Sequence, residues 1–255
     1  MKLNQLGQTD IAVSCIGLGT VKFGRNTGVK YPRAFSLPTD QAILHLLEAA
    51  KSLGINLLDT APAYGASEER LGALLKGQRH EWIISTKAGE SFHEGHSTFD
   101  FSPRAIQKSI ENSLKKLNTD YLDIVFIHSD GDDVKLIQQD HVFETLDALK
   151  KAGKIRAYGM STKTVEGGLL AVKYSDVVMV TYHPEHLDEL VVIKEAHQQK
   201  KGIFIKKAFA SGHFKHSIQE IMQFIFKEAG VTSVIVGTLK PEHLRENVIC
   251  LPTVP

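Results

Sequence analysis

The chain has 255 residues, of which 42% are hydrophobic and 23% are charged, and its formal net charge is +1. A nearly neutral chain of ordinary composition has no global attraction to nucleic acid or to a membrane surface, so neither partner is expected. Cys15 and Cys250 lie far apart without CxxC spacing, no apolar run approaches the roughly 20 residues that span a bilayer, and the first residues lack a signal-peptide core. We therefore expect reduced thiols and a cytoplasmic protein.

A β-hairpin is predicted over residues 1–14. Leu3 and Leu6 precede a polar turn, and Ile11 and Val13 alternate with other residues after it. The apolar side chains of such a hairpin need a larger hydrophobic surface to pack against.

From residue 15 onwards, apolar runs alternate with segments of helical periodicity, and capping residues and glycines mark the helix ends. The predicted strands are 15–20, 56–60, 82–87, 121–128, 155–161, 177–182, 203–208 and 233–236. The predicted helices are 40–51, 67–75, 103–117, 142–152, 165–173, 190–200, 218–229 and 241–249.

Eight strand–helix units without a break in composition predict an α/β fold, the (β/α)8 or TIM barrel. The strands are continuous apolar runs, as expected when both faces are buried. Residues 1–255 would form a single domain, in which the hairpin 1–14 plugs the bottom of a barrel formed by 15–255. An open doubly wound sheet is the alternative, but Gly17-Leu18-Gly19 has no third glycine at Rossmann spacing and opens no helix.

Three successive predicted strands each end in an ionisable residue: Asp59, Lys87 and His128. Tyr64 follows Asp59 by five residues. Because barrel enzymes carry their chemistry at the carboxyl ends of the strands, these four side chains are expected to meet around one arc of the mouth. The Lys87 ammonium, held by Asp59, would lower the pKa of the Tyr64 phenol from its ordinary value of about 10. Such a set suits proton delivery to a carbonyl oxygen and implies a nicotinamide cofactor as the hydride source.

The motifs that contain these residues resemble those of the aldo-keto reductases along almost the whole chain. They are the Leu6-Gly7 hairpin, Gly17 to Thr20, Asp59 to Gly65, Ser85 to Lys87, Asp123 to His128, Gly159 to Ser161 and Val236 to Asn247. The resemblance implies a short, bacterial-type member that binds NADPH across the barrel mouth and reduces an aldehyde or ketone. It also implies that the catalytic residues are Asp59, Tyr64, Lys87 and His128, with Tyr64 as general acid, and that the protein is a monomer acting on a small-molecule carbonyl substrate.

The resemblance also implies which residues hold the cofactor. Residues 161–162 would hold its carboxamide, and residues 238–247 would meet its adenosine end, where the start of the last helix suits phosphate. Carried over by position, the cofactor-binding residues are Gly19, Thr20, Asp59, Ser161, Thr162, His183, Lys206, Gly237, Thr238, Lys240, His243, Glu246 and Asn247.

Several of these positions depart from the family pattern. His183 replaces an Asn that many members have, and Lys206 replaces the aromatic residue that stacks on nicotinamide. His243 stands where an Arg commonly grips the 2′-phosphate, and Gly237 where some members have Lys. Lys240 offers a charge of less specific geometry than Arg. NADP is therefore the expected cofactor, and NAD is the alternative.

The chain is short for the family. Little room remains between Gly212 and Ile218 for the usual loop and helix, and the sequence ends soon after the last predicted helix. We expect an open mouth, partly covered by the long loops 21–38, 89–101 and 129–141.

No metal site is expected. His93 and His96 form an HxxH in a predicted loop, and His183 and His186 straddle Glu185. Neither set has the cysteine or carboxylate spacing that completes a zinc site.

Two other functions are compatible with the sequence. One is a nucleotide-binding regulatory or scaffold protein of the same fold with little turnover. The other is a Schiff-base lyase acting through Lys206 or Lys207, one of which must face the barrel interior or its mouth. A structural ion pair is the simplest role for that inward lysine.

Overall fold

The computed structural model describes residues 1–252. Its strands are β1 (Leu3–Gln5), β2 (Ala12–Ser14), β3 (Ile16–Gly19), β4 (Leu57–Asp59), β5 (Ile83–Ala88), β6 (Glu90–His93), β7 (His96–Phe99), β8 (Leu122–His128), β9 (Ile155–Ser161), β10 (Val177–Thr181), β11 (Gly202–Lys206) and β12 (Ser233–Val236). Its α-helices are α1 (Val21–Gly24), α2 (Asp40–Ser52), α3 (Ser67–Leu74), α4 (Pro103–Lys116), α5 (Asp133–Gln138), α6 (Val142–Lys151), α7 (Val165–Tyr174), α8 (Leu190–Gln198), α9 (Ile218–Ile225) and α10 (Pro241–Ile249). Short 3-10 turns span Pro62–Tyr64, Arg79–Glu81 and Ala210–Gly212.

Eight parallel strands form a closed barrel in the order β10-β11-β12-β3-β4-β5-β8-β9. The ring closes where β12 pairs with β3, with Val234 opposite Ile16. The predicted (β/α)8 barrel is therefore confirmed, and each predicted barrel strand lies within two residues of the observed one. Both faces of the strands are buried, one against the barrel interior and the other against the helices, which explains their continuous apolar sequence.

The hairpin β1–β2 closes the amino-terminal end of the barrel, as predicted. Leu6, Ile11 and Val13 are at most 1% exposed and belong to the same hydrophobic cluster as the interior residues Leu57 and Phe204. Their burial replaces water at the open end of the barrel with hydrocarbon, which stabilises both parts.

Side-chain caps set the starts of several helices. The Thr39 hydroxyl accepts a hydrogen bond from Ala42 N at the start of α2, and the Ser102 hydroxyl accepts one from Ala105 N before α4. At α9, Ser217 and Glu220 form a complete capping box. Among residues 1–252, no helix is both long and apolar enough to cross a membrane.

Three segments predicted as loops contain regular structure. Segment 89–101 holds the antiparallel hairpin β6–β7, whose turn places Glu94 and Gly95 at φ values of 48° and 87°. The prediction missed it because the turn lacks the Asn-Gly or Asp-Gly pair that usually marks a tight hairpin. Segment 129–141 contains α5, and segment 21–38 begins with the single turn α1.

Replacing Leu6 with Ala is expected to lower the free energy of unfolding by about 2–5 kcal/mol, because it leaves a cavity where the hairpin plugs the barrel. Urea denaturation followed by circular dichroism measures the loss. The matched control is Leu3→Ala on the same hairpin, where the side chain is 45% exposed and the expected change is within about 0.5 kcal/mol. Similar losses in both variants would show that the hairpin does not act as a plug.

Candidate active site

A cavity of about 530 Å³ lies at the carboxyl ends of the barrel strands. Its size is within the range of small-molecule sites. The four predicted catalytic side chains all line it, so the structure brings them together in one place. Of the residues predicted from sequence, those lining it are Gly19, Asp59, Tyr64, Lys87, His128, Ser161, Lys206, Gly237, Thr238, His243, Glu246 and Asn247.

Asp59 and Lys87 form a buried ion pair on the adjacent strands β4 and β5. The Lys87 ammonium lies 2.8 Å from each Asp59 carboxylate oxygen and 2.9 Å from the Thr60 carbonyl oxygen. The Ser85 hydroxyl donates to Asp59 Oδ1 at 2.8 Å. Burial alone would lower the pKa of Lys87, but Asp59 and Tyr64 together outweigh it and the pKa is raised. The lysine is therefore a fixed cation at the base of the cavity.

Tyr64 lies on the 3-10 turn after β4 and leans over this pair. The Lys87 Nζ atom is 4.8 Å from the centre of the Tyr64 ring, and the His128 ring is nearly perpendicular to that ring, 6.3 Å away between centres. Burial raises the pKa of Tyr64 and outweighs the lowering by Lys87, while Asp59 raises it further. The sequence predicted the effect of the lysine but not that of burial. The phenol consequently keeps its proton at neutral pH.

His128, the last residue of β8, is in close contact with Glu90, the first residue of β6. Its Nδ1 atom lies 2.6 Å from Glu90 Oε2, but the two are not aligned as a hydrogen bond, and Nδ1 has no hydrogen-bond partner among residues 1–252. The Ser97 hydroxyl donates to Glu90 Oε1 at 2.5 Å. Burial would raise the pKa of Glu90, but His128 and Ser97 together lower it to about 2. Burial lowers the pKa of His128, although Glu90 opposes that shift.

Lys206 ends β11 and reaches across to the end of β9. Its amino group donates to the Ser161 hydroxyl at 2.8 Å and to the Thr162 carbonyl oxygen at 2.5 Å. These partners are neutral, whereas the sequence predicted an ion pair. Burial lowers the pKa of Lys206 to about 7, although the carboxylate of Glu189 raises it. The Glu189 carboxylate itself accepts from the Thr162 hydroxyl at 3.3 Å. Lys206 therefore carries a proton that it loses easily.

Some of the predicted cofactor residues lie outside the cavity lining. The Thr20 hydroxyl is buried and donates to the Asp59 carbonyl oxygen at 2.9 Å. This hydrogen bond holds the backbone at the end of β4 in place. Lys240 is exposed at the start of α10, where its backbone N–H donates to the Thr238 hydroxyl at 3.0 Å. The predicted residues outside the lining are Thr20, Thr162, His183 and Lys240.

Residues 21–38, which we call the strap, cover one side of the cavity. The Lys22 ammonium lies 4.0 Å from the centre of the Tyr31 ring. The Tyr31 hydroxyl is 3.1 Å from where a Cβ on Gly237 would lie, and His213 Nε2 lies 3.3 Å from the Lys30 carbonyl oxygen. The strap thus runs from the end of β3 to the ends of β11 and β12. The sequence predicted this cover from the length of the loop alone.

The segment after β11 contributes more lining residues than its shortness led us to expect. Its tight path puts Lys207, Ala210 and Ser211 at φ values of 54°, 44° and 57°, in the left-handed region that strains residues other than glycine. By contrast, segments 89–101 and 129–141, which were also expected to cover the mouth, supply no lining residue. The contributions of the segment after β11 are Lys207, Ala208, Phe209, Ser211, Gly212, Phe214 and Ile218.

The cavity wall combines positive charge with an unpaired acceptor. Lys22, Lys163 and Lys207 line it in addition to Lys206 and the paired Lys87. Asn247, on α10, is 5% exposed, and its side-chain oxygen is buried without a hydrogen-bond partner among residues 1–252. Buried acceptors of this kind normally have a partner, and because Asn247 lines the cavity its oxygen is able to accept from a ligand donor. The charges favour an anionic ligand.

The described part of the chain holds no cluster of three or more His, Cys, Asp or Glu side chains that suits a metal ion.

Comparison with known proteins assigns the chain to a family. The model of the Aldo/keto reductase family matches residues 15–205. The oxidoreductase YqkF of Bacillus subtilis is 28% identical over 295 aligned residues, which cover 97% of this chain and 90% of that protein. The NADH-specific methylglyoxal reductase of Escherichia coli is 26% identical, with 98% of this chain and 94% of that protein covered.

A solved structure supports the same assignment. The putative aldo-keto reductase from Pseudomonas aeruginosa is 47% identical to this chain, and the two structures superpose with a TM-score of 0.90. The alignment covers 97% of this chain and 93% of that one. Sequence and fold therefore agree over nearly the full length of both proteins.

Replacing Asp59 with Asn is expected to lower the free energy of unfolding by about 3–5 kcal/mol, since it leaves the Lys87 ammonium buried without a counter-charge. Urea denaturation at neutral pH measures the loss. The matched control is Asp147→Asn, which removes the partner of the exposed Lys151, 2.6 Å away. That change should cost less than about 1 kcal/mol, because exposed pairs are screened by water. Equal losses would contradict the importance of burial.

Proposed function

The chain belongs to the aldo/keto reductase family, whose members are oxidoreductases that use nicotinamide cofactors, and from this we propose that it is an NADPH-dependent enzyme that reduces an aldehyde or ketone carbonyl. The observation that carries the proposal is the buried Asp59–Lys87 pair beneath Tyr64, in a cavity that is open to a substrate. A structural ion pair alone would not require a phenol above it.

In this proposal Tyr64 is the general acid. Its phenol is protonated at neutral pH and donates that proton to the carbonyl oxygen as negative charge develops there. Lys87 stabilises the phenolate that remains, and Asp59 keeps the lysine charged and in position. The bound cofactor would supply the hydride. Proton delivery thus depends on groups that are in place before the substrate binds.

The residues of the cavity suit a nicotinamide dinucleotide. The unpaired oxygen of Asn247 suits the amino group of an adenine, and the ammonium group of Lys207 suits a phosphate. His243 faces the cavity close to Asn247 on α10 and is the residue we assign to the 2′-phosphate. The E. coli relative is named as NADH-specific, so the preference for NADPH over NADH is a separate part of the proposal that needs its own test.

A nucleotide titration tests the proposed function. Trp82, the one tryptophan of the chain, precedes the amino-terminal end of β5, whereas Lys87 lies near its carboxyl-terminal end. The fluorescence of the nucleotide itself is therefore the better signal. We expect saturable binding of NADPH, followed by oxidation of NADPH with members of a carbonyl panel that includes methylglyoxal, the substrate in the name of the E. coli relative. Absence of binding at millimolar NADPH would refute the proposal. Binding without turnover would favour a regulatory or scaffold role.

The lowered pKa of Lys206 favours a second candidate, a Schiff-base lyase. An amine with a pKa of about 7 is partly neutral at physiological pH and so is able to attack a carbonyl. Treatment with borohydride in the presence of a carbonyl compound would then add mass at Lys206. An unchanged mass of the peptide that contains Lys206 would exclude the lyase reaction, and the reductase would remain as the proposed function.

Replacing Tyr64 with Phe is expected to reduce kcat by about 10²–10⁴-fold, because the variant lacks the proton that the carbonyl oxygen takes up. The Kd for NADPH should change by less than about threefold, since Tyr64 is not among the residues that we assign to the cofactor. Steady-state kinetics and fluorescence titration measure the two quantities.

The matched control is Tyr174→Phe, at a side chain that is 48% exposed and away from the cavity. Its kcat should stay within about twofold of the unsubstituted protein. Turnover retained by the Tyr64 variant would show that another group delivers the proton.

Replacing His243 with Arg is expected to lower the Kd for NADPH about tenfold, because a guanidinium binds a 2′-phosphate through two parallel hydrogen bonds. The Kd for NADH should not change. The control is Glu242→Arg, one residue earlier on α10 and outside the cavity lining. Equal effects of both variants on both nucleotides would indicate a general charge effect instead of a specific contact.

A further inference from the structure

The contact between Glu90 and His128 has no part in the proton delivery described above. Glu90 follows Lys87 by three residues, and its side chain is 11% exposed. One carboxylate oxygen lies 2.6 Å from Nδ1 of His128, and the other accepts from the Ser97 hydroxyl at 2.5 Å. The hairpin β6–β7 therefore holds the carboxylate against the imidazole from both of its strands.

This contact determines which nitrogen of the imidazole carries a proton. A carboxylate with a lowered pKa is ionised at neutral pH and has only lone pairs to offer. The contact is not aligned as a hydrogen bond, but at 2.6 Å the carboxylate charge repels a lone pair on His128 Nδ1 and attracts a hydrogen there. We therefore assign the ring hydrogen to Nδ1. A neutral imidazole has one ring proton, so Nε2 is then an acceptor. It becomes a donor only in the imidazolium form.

Titratable groups from four elements surround this imidazole, and three of them are charged. Lys87 from β5 and Lys206 from β11 disfavour its protonated form, as does its burial, whereas Glu90 from β6 favours it. Tyr64 adds an uncharged phenol on the side of the β4 turn. Arg25 of the strap lowers the pKa of Glu90 and so keeps that carboxylate ionised. The Glu90 carboxylate is thus the group that favours protonation of His128 against the two lysines.

We infer that Glu90 is a positioning residue that fixes the proton of His128 on Nδ1 and presents Nε2 to the substrate oxygen. The inference rests on the proposed function. When His128 is neutral, Nε2 accepts a hydrogen bond from the hydroxyl of an alcohol. When His128 is charged, Nε2 donates one to the oxygen of a carbonyl. The pH then selects the substrate form: KM for a carbonyl rises as pH increases through the pKa of His128, and KM for the corresponding alcohol falls.

Nitrogen-15 NMR of the imidazole side chains tests the fixed proton directly. The signals of His128 are assigned by their absence in the His128→Gln variant. Well above the pKa of His128 we expect Nδ1 to have the shift of a protonated nitrogen and Nε2 that of an unprotonated one. The opposite pattern would overturn the inference. This measurement needs no cofactor and no turnover, so it stands even if the protein proves not to be a reductase.

Glu90→Gln tests the consequence for the substrate. The variant keeps the shape of the side chain, but it removes the charge and offers an N–H to the ring, so the proton of His128 should distribute over both nitrogens. The apparent pKa in the pH profile of the carbonyl KM should fall by about one unit, since a carboxylate in contact shifts its neighbour by that order. At neutral pH, kcat/KM for the carbonyl should fall about tenfold. Glu90→Asp keeps the charge on a shorter side chain, so its apparent pKa and its kcat/KM for the carbonyl should lie between those of Glu90→Gln and those of the unsubstituted protein.

The matched control is Glu94→Gln at the turn of the same hairpin, where the side chain is 82% exposed. Its pH profile and the His128 signals should be unchanged. An unchanged profile and an unchanged spectrum in Glu90→Gln would overturn the inference. If Glu90→Gln does not fold, as judged by its melting curve, the spectrum of the unsubstituted protein decides. No turnover in the unsubstituted protein would refute the proposed function alone.

Discussion

The buried pair of Asp59 and Lys87 is the constraint on which the rest of the mouth depends. All three protons of the ammonium have acceptors, two on the Asp59 carboxylate and one on the Thr60 carbonyl oxygen. Because a buried charge without a partner is strongly destabilising, the register of β4 and β5 is fixed where Asp59 lies opposite Ser85. The turn that carries Tyr64 starts from this fixed point. The position of the phenol is therefore set by the electrostatic requirement of Asp59, three residues before the turn begins.

The local charge of the cavity differs sharply from the net charge of the chain. The chain as a whole is almost neutral, yet Lys22, Lys163 and Lys207 line the cavity in addition to the paired Lys87. A concave site with walls of low dielectric constant concentrates the field of such a group. Attraction of an anionic ligand is thus local, and the net charge gives no indication of it.

The sequence alone predicted the barrel and the meeting of Asp59, Tyr64, Lys87 and His128 at its mouth, because both follow from local signals. Apolar runs define the strands, and a charged residue at the end of such a run must lie at the mouth. Contacts between distant segments were not predictable in this way. Glu90 meets His128 only because segment 89–101 folds as a hairpin, and Tyr31 meets Gly237 only because the strap crosses two strands. The partner of Lys206 was predicted wrongly for the same reason, since two neutral oxygens of β9 and the residue after it reach it first.

The closure of the barrel between β3 and β12 has a consequence for the order of folding. These strands come from opposite ends of the sequence, and Val234 lies opposite Ile16. The walls of the cavity likewise combine residues from Gly19 to Asn247. Contacts of such large sequence separation form late, because the entropy of closing the long intervening chain is lost before they contribute. Partly folded forms that lack the last strand would retain many helices and much of the sheet but not a complete cavity. During synthesis the ability to bind a ligand would accordingly arise in a single late step.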